Sequence, residues 1–290
     1  MSLHPQYARP KTAAQAIEVL EALGTGAVVI AGGQELMPHV NYGRLMPAVY
    51  VDIGQLRELA GIAEADGVVA IGALTPHRTV QRDPIVREAL PLLAYAAAQV
   101  GGGWQVHNRG TIGGNLVAMH PLYDIAPALL ALGAEVEILS SAGTRRAPLA
   151  AVIAETSHGL GTQALLVRVL VRPLAAGAGW AYEKLKVTEG SYGSANAAAV
   201  VSLDGGRLTA ARVVIGAVAE RPIDAGPALK GLLGRPFDAR AAEEAEAQCR
   251  ALVAHPMSDQ QGDAEWRRAM AGVVARRALA RAVARAGARG

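Results

Sequence analysis

Two glycine-rich turns, Ala31-Gly32-Gly33-Gln34-Glu35 and Thr111-Ile112-Gly113-Gly114-Asn115, hold the residues of this chain best suited to chemistry. Glycine lets a backbone turn through positive φ and approach a ligand closely, and consecutive N–H groups in such a turn form a concavity that attracts anions. Thr111 and Asn115 add a hydroxyl and an amide donor. Taken singly, each turn reads as an ordinary tight turn. As a pair behind apolar sequence they read as two jaws closing on a diphosphate, which points to a dinucleotide cofactor. No Gly-Lys-Ser/Thr follows Gly32-Gly33, so nucleotide hydrolysis is unsupported, and neither turn has the GxGxxG spacing of an ordinary nicotinamide domain.

Other chemistries are poorly supplied. The seven histidines, at positions 4, 39, 77, 107, 120, 158 and 255, have no metal-ligand spacing. Cys249 is the single cysteine, so the chain alone can build no disulfide, thiolate-bound cluster or CxxC metal site, and a reducing, cytoplasmic compartment is expected. A net charge of +3 and 4% aromatic residues, with Phe237 the single phenylalanine, make nucleic acid a poor partner. Met1 to Arg9 shows no secretory pattern. The longest uncharged stretch, Ala89 to Val106, contains Pro91 and Gly101-Gly102-Gly103 and reads as a buried helix running into a loop, so no membrane span is expected.

The elements that must position the turns follow from periodicity. With 290 residues, 51% of them hydrophobic, there is material for two domains with aliphatic, alanine-rich cores. Ala16, Val19, Leu20 and Leu23 predict a helix over Thr12 to Leu23, stopped by Gly24. Ala27 to Ile30 predicts a buried strand feeding the first turn, with further strands at Val49 to Ile53 and Val68 to Ile71. Asp83-Pro84 should cap one helix running from Ile85 to about Gln99, and Asp124 another through Leu132. Strands are expected at Glu135 to Leu139 and Leu165 to Val171, then a small-residue linker over Leu174 to Gly179. Beyond it, Trp180 to Leu185, Ala197 to Leu203 and Leu208 to Val218 read as strands, the last two joined at Asp204-Gly205-Gly206, followed by helices over Ala239 to Val253 and Asp263 to Ala286.

The wording around the turns is specific. Ala31-Gly32-Gly33-Gln34-Glu35-Leu36-Met37-Pro38, Val51-Asp52-Ile53-Gly54, Ile71-Gly72-Ala73-Leu74-Thr75 and Asn108-Arg109-Gly110-Thr111-Ile112-Gly113-Gly114-Asn115, with Asp124 downstream, resemble the FAD-binding medium subunit of molybdenum hydroxylases. The resemblance continues in order through Tyr182-Glu183-Lys184-Leu185 and Glu265-Trp266-Arg267-Arg268, so it covers nearly the whole chain. It implies an α+β fold: a two-subdomain, PCMH-type FAD-binding domain over residues 1–176, then a smaller α+β domain over 177–290 with an antiparallel sheet and helices. It also implies that Ala31, Gly32, Gly33, Gln34 and Glu35 line one FAD diphosphate loop and Thr111, Gly113, Gly114 and Asn115 the other.

Asp124 and Lys184 are the next contacts implied. An aspartate there can bind a flavin hydroxyl or amide, and a lysine can stabilise the reduced, anionic ring; the plain alternatives are a helix cap and a solvated strand-edge lysine. Tyr192, in Gly190-Ser191-Tyr192-Gly193, stands where relatives place an aromatic against the flavin, or else packs as an ordinary amphipathic side chain. Three positions depart from the usual family wording: Glu35 for a small hydroxyl residue, His107 for arginine, and His120 before Pro121 for aspartate. A carboxylate at position 35 would repel phosphate unless turned away, so backbone contact is expected there. Arg277, Arg281 and Arg285 form a basic stripe, read as a solvated helix face or as a docking surface for an acidic partner.

By the same resemblance the chain is an electron relay. Substrate would be oxidised at molybdopterin on a large subunit, and electrons would pass through 2Fe–2S clusters on a small subunit to FAD here, in a heterotrimer that is often doubled. No side chain is assigned a catalytic role. A flavin-loaded assembly subunit and a stand-alone FAD oxidoreductase are the other readings, and the resemblance leaves open both the substrate, whether carbon monoxide, N-heteroaromatic, aldehyde or purine, and the terminal acceptor.

Overall fold

The structure is a computed structural model that describes residues 5–155 and 163–288; His4 and His158 lie outside them. It opens with β1 (Gln6–Ala8), α1 (Ala13–Leu23), β2 (Ala27–Ile30), α2 (Leu36–Asn41) and β3 (Val49–Asp52). β1 and β2 both pair with β3 in parallel, in the order β1-β3-β2. Parallel neighbours need crossovers, and α2 lies in the one from β2 to β3, while α1 joins β1 to β2 at the far edge. Thr12 caps it by accepting the Gln15 N–H, Gly24 ends it at φ +57, and Ala16, Ile17 and Leu20 are buried.

Next come β4 (Ile62–Ala65), β5 (Val68–Gly72), α3 (His77–Arg82), α4 (Pro84–Ala89), α5 (Pro91–Gln99), α6 (Gly103–Arg109), α7 (Ile112–Ala118), α8 (Ile125–Ala131), β6 (Glu135–Ser140), β7 (Gly143–Pro148), α9 (Leu149–Glu155) and β8 (Leu165–Val171). The five strands form an antiparallel sheet ordered β4-β5-β8-β6-β7. The expected strands at 27–30, 49–53 and 68–71 are present, but they belong to two different sheets. The single helix expected from Ile85 to Gln99 is two. Asp83 caps α4 through the Ile85 and Val86 N–H groups, and the chain breaks at Leu90, at φ −132 and ψ 53. Proline disfavours the helical region for the residue before it, and Pro91 then starts α5 afresh. The segment expected to be a loop after Gly101 holds α6.

The last part comprises β9 (Gly179–Leu185), β10 (Ala195–Asp204), β11 (Arg207–Gly216), β12 (Ile223–Asp224), α10 (Ala239–Ala251) and α11 (Ala264–Gly287), with an antiparallel sheet ordered β12-β11-β10-β9. Both faces of this sheet are buried, and the two-residue alternation of strand side chains decides what each face meets. Ala181, Ala197, Ala199, Val213 and Ile215 pack under α10 and α11. Tyr182, Ala198 and Val214 pack on the other face, in one core with α5 and α8. Small residues set the close approach of α11: a Cβ on Gly179 would stand 1.9 Å from the Ala282 carbonyl oxygen. The segment Leu174 to Ala178 crosses between β8 and β9, exposed at Ala175, Ala176 and Gly177 and buried at Ala178.

Candidate functional site

The first turn leaves β2 and enters α2. Ile30 still accepts from the Ile53 N–H, at 3.0 Å, after which the chain bends through Gly33 at φ +72. Gly32 is required by contact, since a Cβ there would lie 1.8 Å from the Arg109 carbonyl oxygen and 3.3 Å from the Gly110 Cα. The two turns, far apart in sequence, therefore touch through bare backbone. Among the described residues the N–H groups of Gly32, Gly33, Gln34 and Glu35 meet no acceptor, while Gln34 folds its side-chain amide back onto the Gly32 carbonyl at 3.3 Å. Four adjacent unpaired donors on a partly buried loop are the arrangement that suits an oxyanion.

The second turn differs from the expectation of a second row of free amides. It is the N-terminus of α7, and its N–H groups are used inside the protein: Ile112 to the Thr75 carbonyl at 3.0 Å, Gly113 to Ala73 at 2.8 Å, Gly114 to the Thr111 hydroxyl at 3.1 Å and Asn115 to the Thr111 carbonyl at 2.9 Å. Thr111 is thus an N-cap. Gly113 serves close packing, a Cβ there falling 2.6 Å from that of Ala73. What this turn offers a ligand is a wall and one side chain, because the buried Asn115 Oδ1 has no partner.

Asp124 and Lys184 come together in the seam between α8 and β9. Lys184 Nζ donates to Asp124 Oδ2 at 2.9 Å and to the Gln99 carbonyl at 2.8 Å, and the Tyr182 hydroxyl donates to Asp124 Oδ1 at 2.7 Å. The Lys184 and Asp124 side chains are 2% and 4% exposed. Neither plain alternative holds: Asp124 makes no side-chain cap to α8, and Lys184 is buried although β9 is an edge strand. Burial pushes the Asp124 carboxyl above its ordinary range, a rise opposed by the lysine cation beside it. Burial, and then the Asp124 charge, hold the Tyr182 phenol well above its usual range, so it remains a donor.

A third group links the first turn to the tip of the β9–β10 connection. α7 ends at Met119, in the left-handed region at φ +48, and this turns His120 and Tyr123 toward the first loop. The Tyr123 hydroxyl donates to Glu35 Oε2, and Glu35 Oε1 lies 3.1 Å from His39 Nε2. His120 stacks on Tyr123 with ring centroids 4.9 Å apart and on Tyr192 at 5.3 Å. The Glu35 carboxylate is therefore held by Tyr123 and His39 and bonds none of the N–H groups of its own loop. Burial lowers the His120 pKa from its ordinary value despite the Glu35 charge nearby, and its Nδ1 accepts from the Leu122 N–H at 3.3 Å. His107 bonds the Val100 carbonyl through Nε2 at 2.8 Å.

Sequence reading passed over Tyr123 and His39. The available signal was a tyrosine beside Asp124 and a histidine one helical turn after Glu35. The arginine stripe is exposed at Arg277, Arg281 and Arg285, and two of its members also bond inward: Arg281 pairs with Glu183 at 2.6 Å, and Arg285 lies 3.9 Å over the Trp180 ring and donates to its carbonyl at 2.6 Å. Among the described residues no three His, Cys, Asp or Glu side chains could hold a metal ion, and no helix is long and apolar enough to cross a membrane.

A parallel three-stranded sheet and an antiparallel five-stranded sheet that bring two glycine turns together, backed by a third sheet under two helices, define a flavoprotein of a particular class. The chain belongs to the FAD-binding medium subunits of molybdenum hydroxylases: residues 3–173 match the FAD binding domain in molybdopterin dehydrogenase, and residues 180–282 the CO dehydrogenase flavoprotein C-terminal domain. Among particular proteins, it is similar to the carbon monoxide dehydrogenase medium chain of Hydrogenophaga pseudoflava, 34% identical over 281 residues that cover 97% of each chain. The solved carbon monoxide dehydrogenase of that organism which lacks the Mo-pyranopterin moiety of the molybdenum cofactor superposes with a TM-score of 0.93 at 35% identity, covering 98% of this chain and 99% of that one. Quinoline 2-oxidoreductase from Pseudomonas putida 86 superposes with a TM-score of 0.90 at 32% identity, covering 99% of both chains. The chain is accordingly an oxidoreductase subunit.

Proposed function

We propose that this subunit holds FAD with its diphosphate on the first loop and relays electrons from 2Fe–2S clusters of a small partner subunit to an external acceptor, substrate being oxidised at molybdopterin on a large subunit. The run of four unpaired amides at Gly32 to Glu35 carries the reading, since the residues present fit the group: backbone donors for phosphate oxygens, and a buried Asn115 acceptor for a hydroxyl. When bound, FAD supplies the redox chemistry of such a relay, and the protein positions it.

The chain's own residues then have separate tasks. The first loop donates to the diphosphate, and Thr111, Gly113 and Gly114 form the wall that the loop leans on. Asp124 and Lys184 act as one neutral, buried pair and not as a free cation, so the pair orients polar groups at the seam without adding net charge. Tyr192, half-exposed and stacked on His120, covers the mouth. The chain divides near residues 176 and 177 into an FAD-binding part and a C-terminal part, assembles in a dimer of heterotrimers, and works in the cytoplasm, where the buried Cys249 thiol, its pKa pushed up to about 12, stays reduced.

Gly114→Asp tests the assignment. A Cβ at this exposed position would stand 2.9 Å from the Thr111 hydroxyl, so the substitution adds charge beside the loop while the cap hydroxyl shifts to make room. The expected result is a folded protein without bound flavin, read from visible absorbance per chain; unchanged flavin content refutes the grip.

A further inference from the structure

The assignment above places a diphosphate on the first loop, yet one side chain of that loop opposes it. Glu35 sits at the N-terminal end of α2, and its own N–H is one of the four unpaired donors. A carboxylate in that position has two resting places. It can reach back over the amides that precede it, as a glutamate does to the N–H three residues earlier in a capping box, where it would occupy the donors and repel a phosphate. Alternatively it can be drawn outward.

In this structure it is drawn outward by two partners. His39, one turn along the same short helix, meets Oε1 at 3.1 Å, and its side chain is 44% exposed. Tyr123 reaches Oε2 from the connection between α7 and α8, 88 positions later in the chain. The two partners are unequal. His39 lies on the same short helix that Glu35 begins and attracts as a cation only when protonated. Tyr123 is fixed from outside α2 by its stacking on His120, which in turn stacks on Tyr192. Burial, and after it the hydrogen bond to Glu35, push the Tyr123 phenol above its ordinary range, so it keeps its proton and stays a donor.

We propose that Tyr123 is a positioning residue for FAD: its hydroxyl holds the Glu35 carboxylate off the first-loop amides and keeps them free for the diphosphate. This rests on the diphosphate assignment and deepens it. Without the hydroxyl, the carboxylate returns to the amides and competes with phosphate by occupancy and by charge. A neutral side chain at position 35 removes the charge part of that competition.

The test uses the full-length protein with whatever subunits co-purify, stripped of flavin and titrated with FAD while flavin fluorescence is followed. Tyr123→Phe should weaken FAD binding by about tenfold, the loss shrinking as added salt screens the repulsion. Glu35→Gln combined with Tyr123→Phe should bind within about twofold of Glu35→Gln alone, as a double-mutant cycle requires when one residue acts through the other. The inference is overturned if Tyr123→Phe binds like the unsubstituted protein. It is equally overturned if the double variant stays as weak as Tyr123→Phe, because the ring would then be merely structural. Unsubstituted protein that takes up no FAD would instead remove the diphosphate assignment, and this inference with it.

Discussion

Single residues in this site gain their character from burial before anything else. His77 is the clearest case: it is 2% exposed, packed against Gly110 beneath the second turn, and its pKa is lowered to about 4 by burial and then by the charge of His107. The unfolded chain binds a proton there near pH 6.5 while the native one does not, so stability is full above that pH and falls as the pH drops toward 4. The expected loss is on the order of 3 kcal/mol across that window, measurable as a decline in urea midpoint, and His77→Gln should flatten it. The Lys184–Asp124 pair obeys similar physics. Lys184→Met leaves a buried carboxylate alone and should cost about 3–5 kcal/mol, while adding Asp124→Asn should recover part of the loss. Equal stability of the two variants would show that the seam is wetter than the 2% and 4% exposures imply.

Elements position these residues by close backbone contact, and here sequence was a partial guide. The turns, their order and most helices and strands could be read, because apolar period and glycine stops are local signals. The turns could be read as a pair, but their contact could not, since the approach of Gly32 to the Arg109 carbonyl is a fact of packing between the loop after β2 and the end of α6. Nor could sequence tell that the second turn spends its N–H groups on Ala73, Thr75 and Thr111, which makes Gly113 a packing residue. The arginine stripe was legible as an exposed helix face, but periodicity could not show its partners, because only the register of β9 brings Glu183 to Arg281 and Trp180 to Arg285. Gly32→Ala follows at this scale. Its Cβ would displace the Arg109 carbonyl, so the turns should separate and flavin should be lost, with a destabilisation of about 1–3 kcal/mol seen in thermal melts.

At the scale of the molecule, the sheet β12-β11-β10-β9 belongs to two cores. Its Ala181 side joins α10 and α11, and its Tyr182 side joins α5 and α8. The small-residue run at 174–179 reads as a linker from its composition alone, and the buried seam beside it is built from residues scattered over several elements. The seam itself joins residues from both sides of that run, Tyr182, Ala198 and Val214 sharing one core with Ile125 and Leu129. The chain is in effect two pieces of a lock whose bolt is a strand face, so a cut at residue 176 should leave a complex, not two domains. Residues 1–176 and 177–290 expressed together should co-purify with FAD as one particle, while either expressed alone should present the bare face of its partner's core and aggregate.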